Sequence, residues 1–287
     1  MSAAPRPATL RVLATPSLSA SIVTFRPEPR LLAAALGSLA TAILEARRTA
    51  ALGEARVFVI DNGPAEGRDR IASSVAAWPA EAGAIEIVSG QGNVGYGRAN
   101  NLALGRARSD FHLIMNPDVE LEPAALTEAL GALAAHPEVG LVAPAVYGDD
   151  GVLQYLCKRY PSLWVLFLRG FAPERLRRRY AHAIDHYEMR DVIADRFVGN
   201  VPLASGCFMV ARTALLTRLG GFDPRFFMYF EDYDLSLRIG REARVAYVPR
   251  ARIRHHGGDA SRKGVRHVVW FAASAWRFFA RHGWRVA

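Results

Sequence analysis

ARVFVIDNG, residues 55–63, decides the fold. Val57, Phe58, Val59 and Ile60 form an unbroken apolar run of strand-forming residues, the pattern of a buried strand. Asp61-Asn62-Gly63 then supplies turn residues. Upstream, SASIVTF (19–25) is a β-type run closed by the Pro-rich RPEPR, and LLAAALGSLATAILEARR has the apolar spacing of a helix. Downstream, IASSVAAWPAEA reads as a short helix and AIEIVSG (84–90) as a strand. GNVGYGRANNLALGRA is a glycine-rich turn entering a helix. FHLIMNPDVEL (111–121) is a strand ending in Asn-Pro-Asp, PAALTEALGALAAHP a helix, and VGLVAPAVYG a strand. Strand and helix alternate four times over about 150 residues, which predicts a parallel, helix-covered sheet.

The pattern then changes. Residues 151–195 are basic, aromatic and irregular. VPLASGCFMVAR (201–212) returns to strand character, ARVAYVPRARIRHHGG is a strand with a His-rich exit, and HVVWFAASAWRFFARHGW is an amphipathic helix. Internal repeats and long low-complexity linkers are absent. The chain reads as one compact domain with an inserted or appended segment.

Composition narrows the class. With 287 residues, 51% of them hydrophobic, the chain can build one large α/β core. Its two cysteines, Cys157 and Cys207, lack the spacing of a disulfide framework or a zinc site, which fits a reducing cytosol. The N-terminal stretch lacks the apolar core of a secretory signal, and no apolar run reaches the length expected of a membrane span. The net charge of +9 points to anionic partners. It is concentrated at Arg169, Arg175, Arg177, Arg178 and Arg179, and again from Arg250 to Arg266.

In open α/β sheets ligands bind beyond the C-terminal ends of the strands. The polar residues at those ends are Thr24 and Glu28, Asp61 and Asn62, Asn93 with the glycines after it, and Asn116 with Asp118. Asp61 can accept hydrogen bonds from a ribose or a base edge, or simply form a turn before Gly63-Pro64. Gly92, Gly95 and Gly97 allow close backbone approach at a helix start, but without the dinucleotide or phosphate-loop spacing. A carboxylate such as Asp118 after a buried strand can bind a hard divalent cation, given ligands from elsewhere, and His255 and His256 are candidates.

FFMYFEDYDLSLR (226–238) sets three carboxylates behind an aromatic run. If a helix starts near Glu231, Asp234 and Arg238 are four apart and can pair, and Glu231 serves the first turn of the helix dipole. Asp232 is left on another face, where a carboxylate beside Phe and Tyr can act as a general base.

Taken in order, SIVTF, VFVIDNG, NVGYGRANN, LIMNPDVEL, SGCFMVAR, GGFDPRFFMYFEDYDLSLRI and VPRARIRHHGG resemble the family 2 inverting glycosyltransferases, and among them the bacterial rhamnosyltransferase-like branch. The resemblance covers most of the chain. It implies an α/β fold of the glycosyltransferase A type: one Rossmann-like, mainly parallel sheet flanked by helices, with a basic helical insertion and a C-terminal helix. The implied organisation is a flexible lead (1–18) and a transferase domain (19–260). That domain has a nucleotide-sugar half (19–150) and an acceptor half (151–260) containing the basic insertion (158–195), and an amphipathic helix (261–287) follows.

The resemblance also implies roles. Thr24, Glu28, Asp61, Asn93, Gly95, Asn101, Asn116 and Asp118 would line the nucleotide-sugar site. Asp118, in the place of the family's Asp-x-Asp motif, would hold Mg²⁺ or Mn²⁺, with His255 approaching from the other side. Asp232 would be the catalytic base, with Glu231 assisting. Phe230 and Asp234 would contact the acceptor. Asn116 stands where the family motif has its first Asp. The donor would be a nucleotide-diphosphate sugar, with dTDP-L-rhamnose first and UDP- or GDP-sugars as alternatives. The acceptor would be a glycan or lipid-linked saccharide, as in O-antigen or cell-wall polysaccharide synthesis, and the location cytoplasmic.

Two other readings are weaker. A nucleic-acid-binding protein accounts for the charge, but no module interleaving basic residues with base-stacking aromatics is present, so no nucleic-acid partner is expected. A nucleotidyltransferase needs a Gly-rich loop with Lys near the N-terminus, and SIVTFRPEPR has none. FLRGFAPERLRRRY and RFFARHGWR mix arginine with aromatics. They fit either peripheral contact with an anionic membrane or a solvated basic face.

Overall fold

The computed structural model describes residues 15–64, 68–257 and 265–287. Most of the lead expected at 1–18, and positions 261–264 with Arg262 and Lys263, lie outside the described residues. The alternating segments form β1 (Leu18–Thr24), α1 (Pro29–Arg48), β2 (Ala55–Asp61), α2 (Arg68–Ala76), β3 (Ala84–Val88), α3 (Tyr96–Leu104), β4 (Phe111–Met115), β5 (Val119–Leu121), α4 (Ala125–Ala135) and β6 (Val139–Tyr147). The later half adds β7 (Leu153–Gln154), α5 (Leu163–Gly170), α6 (Glu174–Arg179), α7 (Ala181–Tyr187), β8 (Phe208–Arg212), α8 (Thr213–Arg218), α9 (Glu231–Ile239), β9 (Arg244–His255) and α10 (Val265–His282).

The strands make one sheet in the order β3-β2-β1-β4-β8-β6-β9-β5, with β7 paired to β6. β1 to β4 are parallel, as are β6 and β9. β8 is wedged antiparallel between β4 and β6, and β5 runs antiparallel to β9. The sheet is therefore mainly parallel, of the expected α/β class. The inserted β8 delivers the later half of the chain to the middle of the sheet.

Side chains alternate across each strand. In β2, Val57 and Val59 join the core beneath α1 and α4, while Phe58 and Ile60 join the core beneath α3. Both faces are covered, which is why the strand reads as continuously apolar. On the α3 face β1 carries serines instead. Ser21 Oγ donates to Asn100 Oδ1 at 2.6 Å, and Ser19 Oγ lies 2.7 Å from His112 Nδ1, a buried polar patch with its partners in place. Burial pulls the His112 pKa down to about 4, so the ring is neutral.

Three expectations are corrected. α1 is long and apolar enough to cross a membrane by length and composition. It instead buries Leu32, Leu36, Leu39 and Ile43 against the sheet, so its apolar face is core. Residues 111–121 are not one strand: the chain breaks at Asn116-Pro117-Asp118, and β5 crosses to the far edge. Residues 201–212 are strand only from Phe208. Pro202 and Gly206 weaken pairing in 201–207, and the backbone there serves the site described next.

Candidate active site

The strand ends converge as the topology requires. Thr24 and Asp61 are register partners at the ends of β1 and β2. Asp61 is buried, and its Oδ1 accepts the Gly63 N–H at 3.0 Å. The Thr24 hydroxyl donates to the Ile60 carbonyl at 3.1 Å. Glu28 is exposed, at the N-cap of α1. Asn62 ties the glycine-rich loop to the sheet: its Nδ2 donates to Asn93 Oδ1 at 3.1 Å, and its Oδ1 accepts the Val94 N–H at 3.1 Å. Asn93 Oδ1 also accepts the Gly95 N–H at 3.2 Å. Gly95 is required at its position: its φ is 88°, and a Cβ would lie 2.4 Å from the Phe227 carbonyl oxygen.

Asp118 and His255 meet because β5 pairs with β9, placing Val119 opposite His255. His255 Nε2 lies 3.5 Å from Asp118 Oδ1, and His255 Nδ1 is buried with no hydrogen-bond partner among the described residues. Gly257 packs so close that a Cβ would sit 2.2 Å from Asp118 Oδ2. The structure separates the two histidines. His256 is held between Glu120 (2.6 Å) and Asp149 (2.5 Å), while His255 faces Asp118. Among the described residues there is no cluster of three or more His, Cys, Asp or Glu able to hold a metal by itself. One carboxylate oxygen and one imidazole nitrogen suit a divalent cation that takes its remaining ligands from water and a diphosphate.

The third part is the start of α9. Tyr229 and Phe230 both adopt left-handed backbone, with φ of 69° and 63°. Two such residues in succession cost about 1–2 kcal/mol each. They are held by α10. Ser274 Oγ donates to the Met228 carbonyl at 2.8 Å, and Phe230 packs on Phe271 and Phe278. The turn leaves Glu231 only 6% exposed, with Oε2 buried and without a hydrogen-bond partner among the described residues. Burial, with Asp232 adjacent, pushes the Glu231 pKa up to about 8. Burial also raises Asp232, but two backbone donors oppose it: Gly206 N–H reaches Oδ2 at 2.9 Å and Tyr233 N–H reaches Oδ1 at 2.8 Å. The backbone donors favour the negative charge on Asp232, whereas burial favours the protonated form of Glu231.

Gly206 links all three parts. Its N–H serves Asp232, its carbonyl accepts the Tyr96 hydroxyl at 2.7 Å, and the next carbonyl, of Cys207, accepts the Asn116 N–H at 2.9 Å. Neither Gly206 nor Tyr96 was singled out from sequence. The signal was a small-residue pair, Ser205-Gly206, interrupting an otherwise strand-like run.

Three expected site residues are placed elsewhere. Asp234 is 0% exposed and bonds Arg238 Nε at 2.7 Å, as its spacing predicted, and His282 Nε2 at 2.8 Å, so no acceptor reaches it. Phe230 is buried among the aromatics of α10 rather than lining an acceptor site. Asn101 holds both the N–H and the carbonyl of Phe222, each at 2.8 Å, so its amide is taken up in joining α3 to the segment before α9.

A family model described as "Glycosyl transferase family 2" matches residues 22–210. The chain is 29% identical to an N-acetylglucosaminyl-diphospho-decaprenol L-rhamnosyltransferase of Mycobacterium tuberculosis, over 79% of this chain and 76% of that one. It is 24% identical to a rhamnosyltransferase of Escherichia coli, over 69% of this chain and 74% of that one. Its fold is similar to that of a mannosyltransferase from Pyrobaculum calidifontis solved with GDP-Man and Mn²⁺. The TM-score is 0.58 at 18% identity, covering 92% of this chain and 65% of that one. The strand-end polar residues, the turn bearing Asp118 and Gly206 lie inside the family match, which covers more than half of the chain, and the chain belongs to glycosyl transferase family 2.

Proposed function

We propose that the protein transfers L-rhamnose from dTDP-L-rhamnose to a hydroxyl of a glycan or lipid-linked saccharide in bacterial surface polysaccharide synthesis. The reaction is a single displacement that inverts the anomeric centre. The relatives' rhamnosyltransferase names support the sugar, and the lipid-linked acceptor in the Mycobacterium name supports the acceptor class. A lipid-linked acceptor supports a reaction at a membrane surface, which this reading puts on its cytoplasmic side.

The carrying observation is the Gly206 junction. It holds the Asp232 carboxylate and the turn bearing Asp118 two hydrogen bonds apart on the same short segment. Asp232, whose carboxylate is held by the Gly206 and Tyr233 N–H groups, accepts the proton of the acceptor hydroxyl as that oxygen attacks. Glu231, kept neutral by burial, adds no second charge against the incoming diphosphate donor. Thr24 and Asp61, buried at the strand ends, would support the backbone of the nucleotide end, and Asn62 with Asn93 holds the loop whose Gly95 comes close to Phe227. Asp118 and His255 would hold Mg²⁺ or Mn²⁺, a use supported by the Mn²⁺ in the mannosyltransferase complex. When bound, the cation offsets negative charge on the departing diphosphate.

Asp232→Asn is expected to lower kcat about 10²–10⁴-fold while dTDP binding measured by calorimetry stays unchanged. Undiminished turnover would remove Asp232 as the base. A thermal-shift screen of dTDP-, UDP- and GDP-sugars with Mg²⁺ or Mn²⁺ identifies the donor, and a response confined to UDP- or GDP-sugars would exclude dTDP-L-rhamnose.

A further inference from the structure

Two basic-aromatic stretches more than a hundred residues apart in sequence form one surface. The chain after α10 lies across the start of α5: Leu163 N–H donates to the Arg285 carbonyl at 2.9 Å and Trp164 N–H to the Val286 carbonyl at 3.0 Å. Trp284 stacks on Phe279 and contacts Trp276, with centroids 5.4 and 4.9 Å apart. Trp164 contacts Phe167 on its own helix and Tyr180 at the end of α6.

Large apolar side chains remain in solvent across this face, with Trp276 at 66% exposure, Phe171 at 60% and Trp284 at 47%. Helix α6, ERLRRR, lies beside them with none of its residues buried, and its four arginines against one glutamate give it a net charge of +3. Glu174 pairs with Arg177 and Arg178, while the Arg175 and Arg179 side chains are exposed. Exposed tryptophan and phenylalanine beside an arginine helix match the two layers of a membrane interface: acyl-headgroup boundary for the rings, lipid phosphates for the cations. The same face borders the Glu-Asp pair. Arg169 of α5 lies over the Tyr187 ring at 5.6 Å, and the Tyr187 hydroxyl is 2.8 Å from that of Tyr233, the residue after Asp232.

We propose that the face built from α5, α6 and residues 276–286 docks on an anionic lipid bilayer. The proposal rests on this surface and not on the assignment of the reaction. Its test is co-sedimentation of the full chain with phosphatidylglycerol-containing vesicles and with pure phosphatidylcholine vesicles. Binding is expected only to the former, weakening with salt. Arg175→Glu with Arg179→Glu should weaken it about 25-fold or more, at about fivefold per arginine lost. Phe171→Ser with Trp276→Ser should weaken it at least about tenfold. All four side chains are exposed, so unchanged melting temperatures are expected. Turnover of a water-soluble acceptor should be the same in all variants, which separates the docking result from the catalytic one. No binding to anionic vesicles, equal binding to both kinds, variants that bind as the parent does, or a shift of duplex DNA without vesicle binding would each overturn the proposal.

Discussion

At the level of single residues, two adjacent carboxylates have different surroundings. Asp232 receives the Gly206 and Tyr233 N–H groups, whereas Glu231 Oε2 receives no donor among the described residues. Glu231 therefore binds a proton in the folded chain between its ordinary pKa of 4.5 and about 8, where the unfolded chain has lost it. Folded protein holding more protons means that stability falls as pH rises through that window. Glu231→Gln removes this dependence. The variant should gain on the order of 1–3 kcal/mol relative to the parent at pH 8 and nothing near pH 4, read from urea unfolding at each pH. Asp232 is also raised by burial, so the acid limb of the kcat profile should fall at a pH above the usual carboxylate range. A limb at ordinary aspartate pH would contradict that environment. His255 and His256 differ in a comparable way. His255→Ala should weaken the Mn²⁺ dependence of nucleotide binding in a calorimetric titration, and His256→Ala, at the Glu120–Asp149 pair, should leave it unchanged.

At the level of elements, α9 and α10 form a unit. The strained Tyr229-Phe230 turn aims Glu231 and Asp232, and α10 holds that turn through Ser274 and the Phe230, Phe278 and Phe279 cluster. Asp234 fastens the far side: burial opposes its ionisation, but His282, Arg238 and Arg281 outweigh it and keep it below the ordinary aspartate range. Asp234→Ala leaves Arg238 buried without its carboxylate, although Arg238 still donates to the Leu219 and Gly221 carbonyls. The expected cost is about 3 kcal/mol of unfolding free energy, with part of the activity lost as the turn relaxes. A variant of parental stability would show that the aromatic cluster alone carries the junction.

At the level of the whole molecule, the mixed sheet assembles the site. The parallel half, β1 to β4, puts Thr24, Asp61 and Asn116 at neighbouring strand ends. The other half arrives through β8, antiparallel to β4, and β9, which is parallel to β6 but antiparallel to β5. β8 brings Gly206 beside Asn116, and β9, pairing with β5, brings His255 to Asp118. These pairings were not legible beforehand because hydrophobic period reports which faces of a strand are buried, not which strand lies next to it. For the same reason 111–121 reads as one strand: Val119 and Leu121 are apolar and buried whether they continue β4 or pair with β9.

The sequence alone determined the α/β class, because β2 is apolar on both faces and its neighbours alternate with helices. It also determined the Asp234–Arg238 pair, because helical spacing makes four-apart residues neighbours. Only the tertiary structure decided the different surroundings of Glu231 and Asp232 and of His255 and His256, the burial of Asp234 and Phe230, and the bonding of Asn101 to Phe222. Each depends on what packs against the side chain from a distant part of the chain: Gly206 for Asp232, β5 for His255, and α10 for Asp234 and Phe230. Local pattern specifies backbone state and buried face, whereas charge state and access follow from neighbours that only the folded chain brings together.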